Sequence, residues 1–153
     1  MEYFNLDSVK VKTKYKGQID EVLEEVNNVV GGIRFLKVRP NQDGHAEVWF
    51  DERKSKYYAC VKIPEIKKLD DLYLFFHECG HVVNRHLSDL EARSTIKQEE
   101  VINREKEADI YALNQMEKLL TTTLKNRDRE KITDIIDIIK FRLNSGYEDY
   151  IEG

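Results

Sequence analysis

The sequence contains only two cysteines, Cys60 and Cys79, and only two prolines in 153 residues. Two cysteines do not supply the disulfide framework that stabilises small secreted domains. The first residues, MEYFNLDSVKVKTKYKG, are charged and lack the apolar stretch of a signal peptide. We therefore expect a protein of the reducing cytoplasm.

Long apolar runs and a strong excess of one charge are also missing. The longest apolar run near the histidines, LYLFF at residues 72–76, is far shorter than the roughly 20 residues of a membrane-spanning helix, so we expect no membrane association. The 29 acidic and 25 basic residues give a net charge of −4, which provides no electrostatic reason to bind nucleic acid. The composition is instead typical of a globular domain with a charged surface.

The first half of the chain predicts one helix and a small sheet. Apolar residues from Ile19 to Val30 recur at helical spacing, and Gly31 and Gly32 follow as a helix stop. Three segments then have the pattern of short strands: IRFLKVRP, HAEVWFDE and KYYACVKIP. We expect these strands to form an antiparallel sheet, with Trp49 in the core.

The second half is predicted to be helical. Asp70 or Asp71 is expected to cap a helix through HECGHVVNRHL, and a polar connection follows at residues 88–97. A second helix is predicted over residues 98–120, and the segment REKITDIIDIIKFRL predicts a third with its isoleucines on one face. Without repeats or linkers, residues 1–153 are expected to form one α+β domain, a sheet of about three strands packed on a helical bundle.

One predicted helix, FFHECGHVVNRH, carries three of the four histidines. His77 and His81 are four residues apart, so their side chains differ by about 40° around the helix and can bind the same metal ion. Glu78 lies about 100° further around, where it can reach a water on the open side of that ion. This is the physical basis of the HExxH pattern, so we predict that His77 and His81 bind Zn²⁺ and that Glu78 is the catalytic base.

A catalytic zinc ion usually has three protein ligands and a water, so a third ligand is needed. The metzincin continuation HExxHxxGxxH would supply a histidine, but this chain has Asn84 in place of the glycine and Leu87 in place of the histidine. His86 is about 140° from His81 around the helix and is expected to point elsewhere. The third ligand is therefore expected from another segment.

The segment NREKEADIYALNQ offers a carboxylate for this role. Glu105 and Asp109 are four residues apart and share a helix face, so Glu105 could bind zinc while Asp109 accepts the N–H of a ligand histidine. Glu107 is the competing ligand, but it lies about 200° from Glu105, so both cannot face one ion. We favour Glu105, because only that choice gives Asp109 a role on the same face.

HECGH at residues 77–81 and EKEADIYA at residues 105–112 together resemble the ImmA/IrrE family of small zinc metallopeptidases, which have an HExxH…ExxxD pattern. The resemblance extends over about residues 17–120, and the segment after it does not follow the family. Asp109 replaces an asparagine often found there, and Tyr111 replaces a phenylalanine. The resemblance implies a minimal zincin-like fold and zinc-assisted hydrolysis of a protein substrate, such as a repressor of a mobile element or a stress or toxin regulator.

Several alternatives stay open at this point. The domain could be a metal-binding regulatory partner that acts by contact without proteolysis, although such a protein has no need of Glu78 as a base. The group that stabilises the oxyanion is not determined, and the oligomeric state is not predicted. The candidates for the oxyanion donor are Tyr57, Tyr58, Tyr111 and His86. The strand KYYACVKI is expected at the sheet edge, where a substrate could add as a further strand.

Overall fold

The computed structural model describes residues 13–39, 42–87 and 98–147 of the chain. In order, these residues form α1 (Thr13–Val29), β1 (Gly32–Val38), β2 (His45–Asp51), β3 (Lys56–Pro64), α2 (Leu69–Val83), α3 (Gln98–Leu119) and α4 (Asn126–Ser145). The predicted α+β class is confirmed. The expected polar connection at 88–97 lies outside the described residues.

The three described strands form one mixed sheet in the order β1-β3-β2. β2 pairs with β3 antiparallel, but β1 pairs with β3 parallel, from Gly32 opposite Tyr58 to Val38 opposite Pro64. The prediction of an all-antiparallel sheet is therefore wrong, and so is the prediction that KYYACVKI is an edge strand. β3 is the strand with the most buried residues. Its backbone groups therefore need a hydrogen-bonding strand on each side.

The helices and the sheet share one apolar core. α1 buries Ile19, Val22 and Val26 on one face, as its spacing predicts. α4 buries four of its isoleucines, which confirms the stripe predicted for the last helix. Trp49, by contrast, is 43% exposed, because it points away from the core on edge strand β2 and stacks on Tyr58.

α2 lies at the centre of the molecule, against both the sheet and α3. It begins at Leu69. The prediction placed Asp70 or Asp71 immediately before the helix, but both lie inside its first turn. The Asp71 carboxylate accepts the backbone N–H groups of Lys67 and Lys68. It therefore still stabilises the helix start, from the third helical position.

Gly80, inside the HECGH segment, allows α2 and α3 to approach closely. A Cβ atom at Gly80 would lie 2.9 Å from the carbonyl oxygen of Ala108 and 3.0 Å from its Cα. Any side chain there would push the two helices apart. Because Ala108 stands between Glu105 and Asp109 in sequence, this contact holds both carboxylates against α2.

Candidate metal centre

The two histidines of α2 turn the same ring nitrogen toward one carboxylate of α3. His77 Nε2 lies 3.0 Å from Glu105 Oε2, and His81 Nε2 lies 3.2 Å from Glu105 Oε1. The two imidazole rings meet edge to face, with centroids 5.0 Å apart. The structure therefore brings together the three side chains that the sequence nominated as ligands.

Glu105 lies at the distance from each imidazole that a shared metal ion requires. Zinc bonds nitrogen and carboxylate oxygen at about 2.0–2.1 Å, so tetrahedral ligands are about 3.3 Å apart. The contacts of 3.0 and 3.2 Å between Glu105 and the two imidazoles are close to that value. Potential ligand atoms of His77, Glu78 and His81 also lie within 4.8 Å of one another. Two nitrogens and a carboxylate form a donor set that suits zinc and leaves one position for solvent.

His77 is held from behind by a buried network centred on Asp109. His77 Nδ1 lies 2.8 Å from Asp109 Oδ1, and the Asp109 side chain is 1% exposed. The hydroxyls of Tyr73 and Tyr147 each donate to one Asp109 oxygen. Arg142 Nη2 donates to the Tyr73 hydroxyl and, at 3.3 Å, to Asp109 Oδ1. Asp109 therefore accepts hydrogen bonds from four side chains, and the His77 ring has a fixed orientation.

The charges of this network change the pKa values of its members. Burial disfavours the charged imidazolium, but hydrogen bonds to Asp109 and Glu105 outweigh it and raise the pKa of His77 to about 9. Burial would raise the pKa of Glu105, but its bonds to His77 and His81 lower it. Burial also raises the pKa of Tyr73 and Tyr147, so both keep their hydroxyl protons.

His81 is held by a different chain of groups, through His86. His81 Nδ1 lies 2.8 Å from His86 Nδ1, and His86 Nε2 lies 3.1 Å from Glu107 Oε2. If His81 offers the lone pair of Nε2 to a metal, its proton is on Nδ1 and is donated to His86. The proton of His86 is then on Nε2 and is donated to Glu107. Burial lowers the pKa of His86 and outweighs the hydrogen bond to Glu107, which would raise it. The lowered pKa favours the neutral form of His86.

As expected, His86 does not lie beside the nitrogens that face Glu105, but it contacts the opposite side of the His81 ring. The helix was predicted to continue through residue 86, and this is wrong, because α2 ends at Val83. Arg85 then adopts a left-handed backbone with φ of 51°, and this turn brings His86 back onto His81. Glu107, the competing third ligand, contacts His86 and thereby supports the ring of His81 from behind.

Glu78 is buried and lies at a large cleft. Burial raises the pKa of its carboxyl group, and its Oε1 is 3.9 Å from His77 Nε2. The cleft, about 920 Å³ in volume, is also lined by Glu105, Arg142 and Tyr147. A carboxylate with a raised pKa, beside the two imidazoles and open to a cleft, is suited to exchange protons with a bound water.

The four candidates for an oxyanion donor do not line this cleft among the described residues. The hydroxyl of Tyr111 donates to Glu25, Tyr57 packs under Arg85, Tyr58 stacks on Trp49, and His86 lies behind His81. Three other residues that carry hydrogen-bond donors and belong to the network behind His77 do line the cleft: Tyr73, Arg142 and Tyr147. Sequence reasoning missed all three.

One of these three residues had a signal in the sequence. Tyr73 is four residues before His77 and therefore shares its helix face. Arg142 and Tyr147 come from α4 and the turn after it, where no local pattern points to α2. Gly146 ends α4 in a left-handed conformation with φ of 77°, and Tyr147 follows with φ of 61°. This turn directs Tyr147 to Asp109.

No helix within the described ranges is both long and apolar enough to cross a membrane.

Comparison with protein-family models gives a match to the family described as peptidase U49, over residues 40–142. This match includes α2, α3 and most of α4, and supports a peptidase family without assigning the ImmA/IrrE type. Searches of curated proteins and of solved structures found no significant match.

Proposed function

The chain belongs to the peptidase U49 family, and from that premise we propose that it is a zinc-dependent endopeptidase that cleaves a regulatory protein in the cytoplasm. The observation that carries this proposal is the convergence of His77 Nε2 and His81 Nε2 on the Glu105 carboxylate, with Glu78 beside them at the cleft. In this account His77, His81 and Glu105 are the zinc ligands. Asp109 and the His86–Glu107 pair orient the two imidazoles.

Zinc bound at these residues would act as a Lewis acid on the scissile carbonyl and lower the pKa of a coordinated water. Glu78 receives the proton of the attacking water and returns it to the leaving amine nitrogen. Its raised pKa suits both transfers, because a carboxylate with an ordinary pKa would be a weaker base.

A protein substrate fits the shape of the site. The cleft is open and is lined by the end of β1, by Gly44 just before β2, and by the start of α2. β1 and β2 are the edge strands of the described sheet, so an extended peptide could add beside either of them. The resemblance to the ImmA/IrrE family suggests a repressor or another regulatory protein as the substrate.

The proposal is tested by comparing new protein N-termini in cells that express the wild type, Glu78→Gln or Glu99→Gln. Glu99 is exposed on α3, so its substitution controls for the loss of one charge. We expect a defined set of new termini with the wild type and Glu99→Gln but not with Glu78→Gln. Identical termini from all three proteins would overturn the protease function. If Glu78→Gln produced no new termini yet changed the amounts of other cellular proteins as the wild type does, regulation by contact without proteolysis would replace the proposed function.

A further inference from the structure

We propose that Arg142 is a substrate-binding residue whose free guanidinium edge donates to a backbone carbonyl oxygen of the peptide, next to the scissile bond. This inference rests on the proposed peptidase function and names how the cleft holds its substrate.

The guanidinium of Arg142 uses only part of its donor capacity. Both of its hydrogen bonds in the described structure start from Nη2, one to the Tyr73 hydroxyl and one to Asp109. Its Nε is buried without a hydrogen-bond partner among the described residues, and Nη1 makes no hydrogen bond there. Of the five N–H donors of an arginine, the two on Nη1 therefore remain available to a ligand, because the side chain is 40% exposed and lines the cleft.

The other cleft donors near the histidines are already in use. Tyr73 and Tyr147 each have a single hydroxyl proton, and both donate it to Asp109. Lys37, Lys67 and Lys68 also line the cleft. Unlike Arg142, none of these lysines has a hydrogen bond or an ion pair to the described residues of the metal centre. Arg142 is thus the group there that can bind substrate while its own position stays fixed.

Arg142 lies on the side of His77 that carries Nδ1. Arg142 Nη2 is connected to His77 Nδ1 through Asp109 Oδ1 by contacts of 3.3 and 2.8 Å, a path shorter than two residues of an extended peptide, at about 3.3–3.6 Å per residue. His77 Nε2, which faces the Glu105 carboxylate, is on the far side of the same ring, so a peptide bound at the metal would pass Arg142 within a few residues of the scissile bond. The ring of Tyr73, 5.2 Å from the guanidinium carbon, supports the side chain from one side.

The charge balance favours a neutral carbonyl over an acidic side chain as the acceptor. With a divalent ion bound, the ion and Arg142 would together balance the three carboxylates of Glu78, Glu105 and Asp109. The rest of the cleft lining has three lysines and four acidic residues, so it adds no positive excess. An acidic substrate side chain would therefore gain little, whereas a carbonyl oxygen can accept an arginine N–H without added charge.

The test uses two hydroxamates that bind a metal through the same group. Acetohydroxamate carries no peptide, whereas a succinyl hydroxamate extended with alanyl-alanine amide adds peptide carbonyls. Affinities for both are measured by calorimetry on the zinc-loaded wild type and on Arg142→Met, Arg142→Lys and Lys140→Met, with the zinc content determined for each. Lys140 is an exposed cation on the same helix, so Lys140→Met is the matched control.

We expect Arg142→Met to lose about 10- to 100-fold in affinity for the peptidyl hydroxamate, the effect of one charge-assisted hydrogen bond, with acetohydroxamate unchanged. Lys140→Met should match the wild type, and Arg142→Lys should lie between. An unchanged ratio of the two affinities in both Arg142 variants would overturn the proposal. A third probe has glutamate in place of the first alanine. If Arg142→Met lost more affinity for this acidic probe than for the alanyl probe, the carbonyl assignment would be overturned. If acetohydroxamate did not bind the zinc-treated wild type, the proposed function itself would fail.

Discussion

The two histidines of the candidate metal centre turn the same ring nitrogen, Nε2, toward Glu105 but are supported in different ways. Behind His77 is Asp109, which is almost fully buried and accepts two tyrosine hydroxyls and an arginine N–H as well. Behind His81 is His86, and behind His86 is Glu107, whose side chain is 52% exposed. One support is a closed charged network, and the other leads to solvent within two residues.

The two supports should therefore differ in how much metal affinity is lost when the histidine in front of them loses its fixed orientation. A buried carboxylate with four donors cannot be replaced by water, so its removal leaves several polar groups without partners. An exposed carboxylate can be replaced at small cost, because a water molecule can take the place of its oxygen atoms. We therefore expect the His77 side to control metal affinity and its pH dependence, and the His81 side to adjust affinity more weakly.

The largest expected effect is that of pH on metal binding. The pKa of His77 is raised to about 9 in the metal-free protein, and a metal must displace that proton. Zinc affinity should therefore rise about tenfold per pH unit below pH 9 and level off above it. A competition titration with a chelator between pH 6.5 and 9.5 measures this, and a flat profile would contradict it.

The same proton affects the stability of the metal-free protein. Because the folded pKa of His77 lies above its ordinary value of 6.5, its contribution is fully present below pH 6.5 and is lost as the pH rises through about 9. The melting temperature without metal should accordingly fall across that window. Asp109→Asn should weaken this dependence, because a hydrogen bond to Asp109 is the first cause that raises this pKa.

Asp109→Asn is expected to lower zinc affinity by about 10- to 100-fold, the usual range for a partner behind a ligand histidine. The amide keeps the size of the side chain but not its charge, and its NH₂ group would face donors. The same competition titration at one pH measures the loss. Asp137→Asn, an exposed change on α4, should leave the affinity unchanged, and equal losses in both variants would contradict the role of Asp109.

His86→Leu is expected to cost about tenfold in zinc affinity, at the lower end of that range. Leucine removes the acceptor for His81 Nδ1, although water can reach part of the space. His86→Asn offers a carbonyl oxygen near the position of Nδ1 and should recover most of the loss. If asparagine and leucine were equally poor, packing rather than hydrogen bonding would explain the effect of His86.

Glu107→Gln should have the smallest effect, less than about threefold, because exposed charge pairs contribute little. The glutamine oxygen can still accept from His86 Nε2. Comparison with Asp109→Asn under identical conditions makes this a direct test of the two supports. A loss from Glu107→Gln as large as that from Asp109→Asn would mean that the exposed side is not the weaker one.

Local patterns in the sequence were enough to identify the ligand candidates, whereas the packing of α2 against α3 brings them together. The four-residue spacing of His77 and His81, and of Glu105 and Asp109, decides which side chains share a helix face before any tertiary contact forms. Gly80, which was not interpreted from the sequence, also carried a signal, since a glycine in a helix interior costs stability and suggests close packing. These features depend only on helix geometry, which residues within a few positions determine.

What the sequence could not give depends on long-range contacts or on element ends. The parallel pairing of β1 with β3 is a matter of strand order, which no strand pattern encodes. The contact of His86 with His81 was missed because the end of α2 at Val83 could not be located. Arg142 and Tyr147 reach Asp109 only because α4 packs against α3, and neither residue has a motif of its own.

The central claim is that Glu105, and not Glu107, joins His77 and His81 in holding one zinc ion. Zinc stoichiometry and affinity, measured side by side on metal-free wild type, Glu105→Gln and Glu107→Gln, test it most directly. The account predicts one tightly bound zinc in the wild type and in Glu107→Gln, and loss of tight binding in Glu105→Gln. Tight binding retained by Glu105→Gln but lost in Glu107→Gln would contradict it.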